Sequence, residues 1–275
     1  MCRHLAYLGP PTTPCALLLA PPHGLLHQSY APADMRGGGT VNADGFGAGW
    51  YVPPSAGDGD RAGLEPVRYR SDRPLWSDTS FHTLAAATAT SAVLAAVRSA
   101  TPGMPVVSTA AAPFAEGRWL FSHNGVVRGW PGSVAALASG LPVTDLLTLD
   151  APTDSALLWA LVRHRLRGGE DPGTALADVV VAVEAAAPGS RLNLLLTDGS
   201  TIWATVWGHA LSLRTTPDSI TVASEPLDPS PGWTAVPDRH LVVALPGRHR
   251  LVALTVPRSL PSPPSPQSPH PQGVR

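Results

Sequence analysis

The chain has 275 residues, 44% hydrophobic and 14% charged, enough to bury one large core or two modest ones. A formal charge of −1 at pH 7 leaves no electrostatic footprint for nucleic acid or an anionic membrane surface. There is no lysine, which excludes a Schiff-base lysine and a phosphate-loop lysine. Two cysteines, Cys2 and Cys15, are too few for a disulfide framework or a cysteine-based zinc site. No apolar run approaches the roughly 20 residues of a membrane span, and the N-terminus lacks a basic region followed by an apolar core, so the expectation is a soluble, cytoplasmic protein.

The chain opens Met1-Cys2-Arg3-His4. A small residue after the initiator lets Met1 be removed, which would place a thiol and a free α-amine on Cys2, a nucleophile carrying its own base. The amine, with a reference pKa of roughly 7.7–8.0, can take the thiol proton. The stretch CRHLAYLG reads as a buried strand that holds Cys2 at its start. VNADGFGAGWYV alternates glycine with aromatics and reads as a tightly turned strand entry, and 53–66 as an exposed loop. SDTSFHTLAAATAT predicts a helix capped by Ser77 or Asp78.

AVLAAVRSAT predicts a buried strand ending at Arg98, and RWLFSHNGVV two strands joined across Asn124-Gly125. PTDSALLWALVRHRL places Asp154 at the start of an amphipathic helix, and TALADVVVAVEAAA forms a second helix stopped by Pro188-Gly189. RLNLLLTDG, TIWATVWG, SITVASEPL and HLVVALPG read as successive strands of an antiparallel meander. The tail from Arg258 is rich in Pro and Ser and predicts disorder. Strands grouped around two central helices indicate an α+β fold with helices covering stacked sheets.

Several residues suit a thiol acting on an amide. Arg98, at the end of an apolar strand, needs an anionic partner, either a protein carboxylate or a substrate carboxylate held bidentately with help from the Thr101 hydroxyl. Asn124 and Gly125 form a turn or, equally, present an amide and an N–H to an oxyanion. Asp154 is a helix-end cap or a partner for a substrate ammonium. In Asn42-Ala43-Asp44-Gly45-Phe46-Gly47 the backbone can approach a site closely, without matching a phosphate loop. His23 and His27 lack a third ligand, so no metal is expected, and no cofactor. Cys15 reads as a structural thiol, and Trp76, Trp203 and Trp207 as core or pocket wall.

Together these residues resemble the class II glutamine amidotransferases. The resemblance implies an N-terminal-nucleophile hydrolase fold, a four-layer αββα sandwich of two antiparallel sheets covered by helices. Cys2 stands at the family's nucleophile position, Arg98, Thr101 and Gly103 meet its R-x-x-T-x-G pattern, Asn124 and Gly125 its oxyanion pair, and Asp154 the aspartate that holds the substrate α-amino group. A narrower resemblance, carried by CRHLAYLGPP, PPHGLLHQSYAP, NADGFGAGWY, PLWSDTSFH, AAVRSATPGMP, SHNGVV, RLNLLLTDG and SEPLDPSPGWTAVPDRHLV, is to the γ-glutamyl-hercynylcysteine sulfoxide hydrolases of ergothioneine biosynthesis.

What this implies is one domain over 2–257, a tail over 258–275, and hydrolysis of a small-molecule γ-glutamyl amide, with Arg98 and Thr101 on the α-carboxylate and Asp154 and Gly125 on the α-ammonium. Ser99 and Pro102 stand where amidotransferases that make amino sugars or purines carry bulky Trp and His, which leaves room for a large leaving amine. No synthase domain follows residue 257, so a stand-alone hydrolase is expected. A glutaminase or general γ-glutamyl amidohydrolase, or a silent γ-glutamyl-binding regulator, are the alternatives; a homo-oligomer is left open. Trp76, Phe46 and Phe81 are candidates for an aromatic wall facing a trimethylammonium group.

Overall fold

The computed structural model describes residues 2–35, 41–53 and 65–255. In chain order the elements are β1 (Arg3–Thr12), α1 (Pro14–Leu18), α2 (Leu25–Tyr30), β2 (Phe46–Val52), β3 (Glu65–Ser71), α3 (Thr79–Ala87), β4 (Thr90–Val97), β5 (Phe114–Glu116) and β6 (Trp119–Val126). There follow α4 (Ala135–Ser139), α5 (Val143–Leu147), α6 (Asp154–Arg167), α7 (Pro172–Ala186), β7 (Arg191–Thr197), β8 (Ile202–Val206), β9 (Ser212–Thr215), β10 (Ile220–Ala223), β11 (Trp233–Ala235), β12 (His240–Leu245) and β13 (Arg248–Ala253). One antiparallel sheet runs β11-β9-β10-β1-β4-β2-β3 and the other β13-β12-β8-β7-β6-β5.

Strand alternation builds the layers. On β1, Ala6 and Leu8 enter the core between the sheets with Leu94, Leu120, Leu195, Ile202, Val222 and Val242. Leu5 and Tyr7 point the other way, into a core roofed by α1, α2 and α3 through Leu18, Leu25 and Phe81. α6 and α7 cover the second sheet, where Trp159, Leu157 and Val180 pack on Phe121, Leu194 and Leu196. The result is the expected αββα sandwich. Its three longest helices begin on side-chain caps: Asp78 accepts from Phe81 N at 3.0 Å, Thr153 from Ala156 N at 3.2 Å and Asp171 from Thr174 N at 3.0 Å, each worth about 0.5–2 kcal/mol.

Three expectations are corrected. Asn124-Gly125 is not a turn: β6 runs straight through it, with Asn124 opposite Asn193 and Gly125 opposite Leu192. Glycine is required there by close approach, since a Cβ on residue 125 would sit 1.8 Å from the Arg191 carbonyl oxygen. The C-terminal strands are not one meander, because the chain leaves the second sheet after β8, adds β9, β10 and β11 to the first, and returns as β12. Both sheets bury such runs on two faces, so their apolar pattern fits either. Glu65 and Pro66, expected in a loop, open β3 and pair with Val52 and Tyr51; 54–64, Met1 and the tail from 258 lie outside the described residues.

Candidate active site

Cys2 immediately precedes β1, in the middle of the first sheet. The register Arg3↔Val97 sets it beside Arg98, just past the end of β4, and its Sγ lies 3.9 Å from the Ser99 carbonyl oxygen. The residues beyond Val97 stay joined to the β2 side, since Arg98 N donates to Gly45 O at 2.8 Å and Asp44 N to Arg98 O at 3.0 Å. Asp44 also caps the next turn by accepting from Ala100 N at 2.8 Å. Gly45 makes this entry with φ +112°, where a Cβ would meet Ser71 O at 2.7 Å.

Arg98 is 8% exposed. Its Nη1 donates to Pro105 O at 2.9 Å and Asp44 O at 3.3 Å, and among the described residues no carboxylate pairs with it. The two acceptors fix the guanidinium without neutralising it. Thr101 opens a turn closed by Met104 N to Thr101 O at 2.9 Å, with Gly103 at φ +89°. Thr101 and Gly103 wall a cavity of about 440 Å³ whose far side is Val126, Val127 and Trp130, the segment just past Gly125. Asp154 Oδ2 accepts from Val127 N at 3.0 Å and its Oδ1 from Ser155 N at 2.8 Å. The aspartate is therefore not the cap of α6; Thr153 is, and Asp154 ties that helix to the end of β6.

Asn124 is fully buried and shares the inter-sheet face with Leu120 and Ser122, as Cys2 shares it with His4 and Ala6 by strand alternation. Asn124 Nδ2 donates to Ser224 Oγ at 3.1 Å, which in turn accepts from His4 N at 2.9 Å. One amide hydrogen remains uncommitted by that bond, and Oδ1 has no partner among the described residues. On the opposite face of β6, His123 spans Ser155 Oγ and Arg191 O, both at 3.0 Å. A carbonyl can only accept, so Nε2 carries the proton directed at Arg191 O. Cys2, Arg98, Asn124, Gly125, Thr101 and Asp154 thus gather at one end of the sandwich.

On the other side of β1 lies a network that sequence reasoning missed. Arg3, fully buried, bonds Glu225 Oε1 through Nε at 2.6 Å, Cys2 O through Nη1 at 2.9 Å, and Asp34 O through Nη2. Glu225 Oε2 meets His23 Nε2 at 2.5 Å and Ala33 N at 2.8 Å, and His23 Nδ1 lies 3.0 Å from His27 Nδ1. Burial by itself raises the Glu225 carboxyl; the hydrogen bonds from His23, Ala33 and Arg3 outweigh it and hold the group below the usual carboxylate range. Glu225 follows the apolar run ITVAS, and an acid there is the same signal that flagged Arg98. His23 and His27 are members of this network, and among the described residues no three metal-type ligands cluster.

Phe46 and Phe81, expected on a pocket wall, are instead in the core: they pack at 4.9 Å between centroids and are 1% and 0% exposed. Trp76 is partly exposed and meets Tyr30 edge-on at 6.0 Å, while Trp203 and Trp207 are buried. No helix among the described residues is long and apolar enough to cross a membrane.

No protein-family model matches the chain. It is 46% identical over 243 residues to a γ-glutamyl-hercynylcysteine sulfoxide hydrolase of Mycolicibacterium smegmatis, covering 88% of this chain and 95% of the relative. The chain belongs to the γ-glutamyl-hercynylcysteine sulfoxide hydrolase family. A hydrolase of the same name from Mycobacterium tuberculosis is 45% identical, with coverage of 88% and 92%. A class II glutamine aminotransferase domain protein from Silicibacter pomeroyi superimposes with a TM-score of 0.65 at 22% identity, over 92% of this chain and all of that one. The glutamine phosphoribosylpyrophosphate amidotransferase of B. subtilis gives 0.58 at 13% identity, over 93% and 50%. These likenesses show that the chain shares its fold with class II glutamine amidotransferase domains.

Proposed function

We propose that this hydrolase cleaves the γ-glutamyl amide of γ-glutamyl-hercynylcysteine S-oxide, releasing glutamate and hercynylcysteine S-oxide, through a thioester on Cys2. The observation that carries the reading is Arg98, buried without a carboxylate partner among the described residues and set by strand register beside Cys2. Arg98 and Thr101 take the substrate α-carboxylate, and Asp154 with the Gly125 backbone takes the α-ammonium. Two held ends bring the γ-carbonyl to Sγ, where positioning contributes most to rate.

Once Met1 is removed, the α-amine of Cys2 accepts the thiol proton. Sγ attacks the γ-carbonyl carbon, and the Asn124 amide and Gly125 N–H stabilise the oxyanion. As the oxyanion collapses the C–N bond breaks, and the ammonium of Cys2 gives its proton to the leaving nitrogen. Water, deprotonated by the same amine, then attacks the thioester carbon and frees glutamate and the thiol. Both cysteines are free thiols, which suits a reducing compartment, and we place the reaction in the cytoplasm.

Cys2→Ala is expected to abolish turnover while keeping substrate affinity in calorimetric titration. Substantial residual turnover would refute covalent catalysis. Intact mass of the wild-type protein is expected to lack Met1. Faster hydrolysis of glutamine than of the sulfoxide amide would replace this reading with a glutaminase.

A further inference from the structure

The Asn124 amide is held by very little. It lies wholly inside the protein, yet among the described residues Oδ1 has no partner and Nδ2 makes a single bond, to Ser224 Oγ at 3.1 Å. A side-chain amide turns freely about its last torsion, so the Ser224 bond directs where the second N–H points. Asn124 belongs to β6 of the second sheet, and Ser224 follows β10 of the first. The bond therefore crosses between the sheets.

Ser224 is bound equally firmly to the strand that follows Cys2. The register Leu5↔Ala223 continues to His4 opposite Ser224, where Ser224 N donates to His4 O at 2.9 Å. In an antiparallel pair the return bond ordinarily runs from His4 N to the opposite carbonyl; here it ends on Ser224 Oγ at 2.9 Å. The hydroxyl hydrogen turns back to His4 O at 3.3 Å. Both lone pairs and the one hydrogen of Ser224 are thus spent, two bonds on β1 and one on Asn124. A hydroxyl this deeply buried is costly unless bonded, and Val222, two residues earlier on the same face, is apolar and packs between the sheets. The face turns polar at the level of Asn124, beside His4 and two residues from Cys2.

We propose that Ser224 is a positioning residue for the oxyanion. Its hydroxyl fixes the Asn124 amide of one sheet against the strand that carries Cys2 in the other. The inference rests on the Cys2 hydrolase reading above and concerns the step in which Sγ bonds to the γ-carbonyl carbon and the carbonyl π pair moves onto oxygen. Ser224 acts through Asn124 and not on the substrate.

The test is a double-mutant cycle in kcat and KM on γ-glutamyl-hercynylcysteine S-oxide, with glutamate affinity measured by calorimetry. Asn124→Ala is expected to lower kcat about a hundredfold to a thousandfold. Ser224→Ala is expected to lower it about tenfold to a hundredfold while KM and glutamate affinity stay within about twofold, because the oxyanion forms only on the way to the transition state. Added to Asn124→Ala, the same substitution is expected to cost nothing further in kcat. Ser224→Cys, close in shape and a weak acceptor, is expected to give the same split and carries the test if Ser224→Ala does not fold. Unchanged kcat in both Ser224 variants, a KM that rises as kcat falls, or the full loss repeated on top of Asn124→Ala overturns the positioning role and leaves the hydrolase reading standing. Turnover that survives Cys2→Ala overturns that reading instead, and the inference with it.

Discussion

Two buried guanidiniums stand on either side of Cys2, the proposed nucleophile, and they are treated in opposite ways. Arg3 is 0% exposed and is paired with Glu225 at 2.6 Å, so its charge is settled inside the protein. Arg98 is 8% exposed and, among the described residues, is held by the carbonyls of Asp44 and Pro105. Burying a cation without an anion is costly, and a folded protein retains one where a ligand completes it. The difference separates a residue that anchors the Cys2 backbone, through Arg3 Nη1 to Cys2 O, from one whose charge, in the function proposed above, a substrate carboxylate completes.

The contrast is broken hardest at Glu225. Glu225→Gln strips the anion from Arg3, and breaking a buried pair costs about 3–5 kcal/mol. Urea unfolding is expected to show a loss of that order, with little change in KM for γ-glutamyl substrates. Arg98→Lys reverses the pattern. It keeps the charge and loses the fork, so KM is expected to rise about tenfold to a hundredfold for every γ-glutamyl amide, with a much smaller shift in the unfolding midpoint. If the two variants exchange these signatures, Arg98 is structural and the clamp lies elsewhere.

The residues on the β4 side were legible because they announce themselves. A charge ending an apolar strand and a cysteine after the initiator are rare local patterns, and Asp154 opens a helix that buries Leu157, Leu158 and Trp159. Asn124-Gly125 reads as a turn in the sequence and is a straight strand in the structure, because the local signal for a hairpin and the demand for close approach to Arg191 O select the same glycine. The layered fold followed from apolar runs, but their allocation between sheets did not, since a strand buried on both faces carries no mark of its neighbours. The Arg3–Glu225–His23 network joins residues 222 and 202 positions apart, and no local pattern encodes it.

Next to Arg3 on β1 is His4, wholly buried, with Nδ1 3.2 Å from Ser122 Oγ and Nε2 without a partner among the described residues. Burial first, then the nearby His123, His209 and Arg3, push it from 6.5 down to about 3. Between those values the unfolded chain carries a proton on this residue that the folded protein does not. Stability therefore rises with pH across that window and falls as pH drops from 6.5 toward 3, with a limiting slope of about 1.4 kcal/mol per pH unit. Glu225 acts in the same direction lower on the scale, since its depressed carboxyl stabilises above its unfolded pKa and is lost as pH falls through the folded one. His4→Gln removes only the first contribution. Urea midpoints taken from about pH 4 to about pH 6 are expected to lose up to that slope in the variant. An unchanged slope would mean that His4 is protonated in the folded protein, placing a third cation beside Cys2 and ending the division of charge between Arg3 and Arg98.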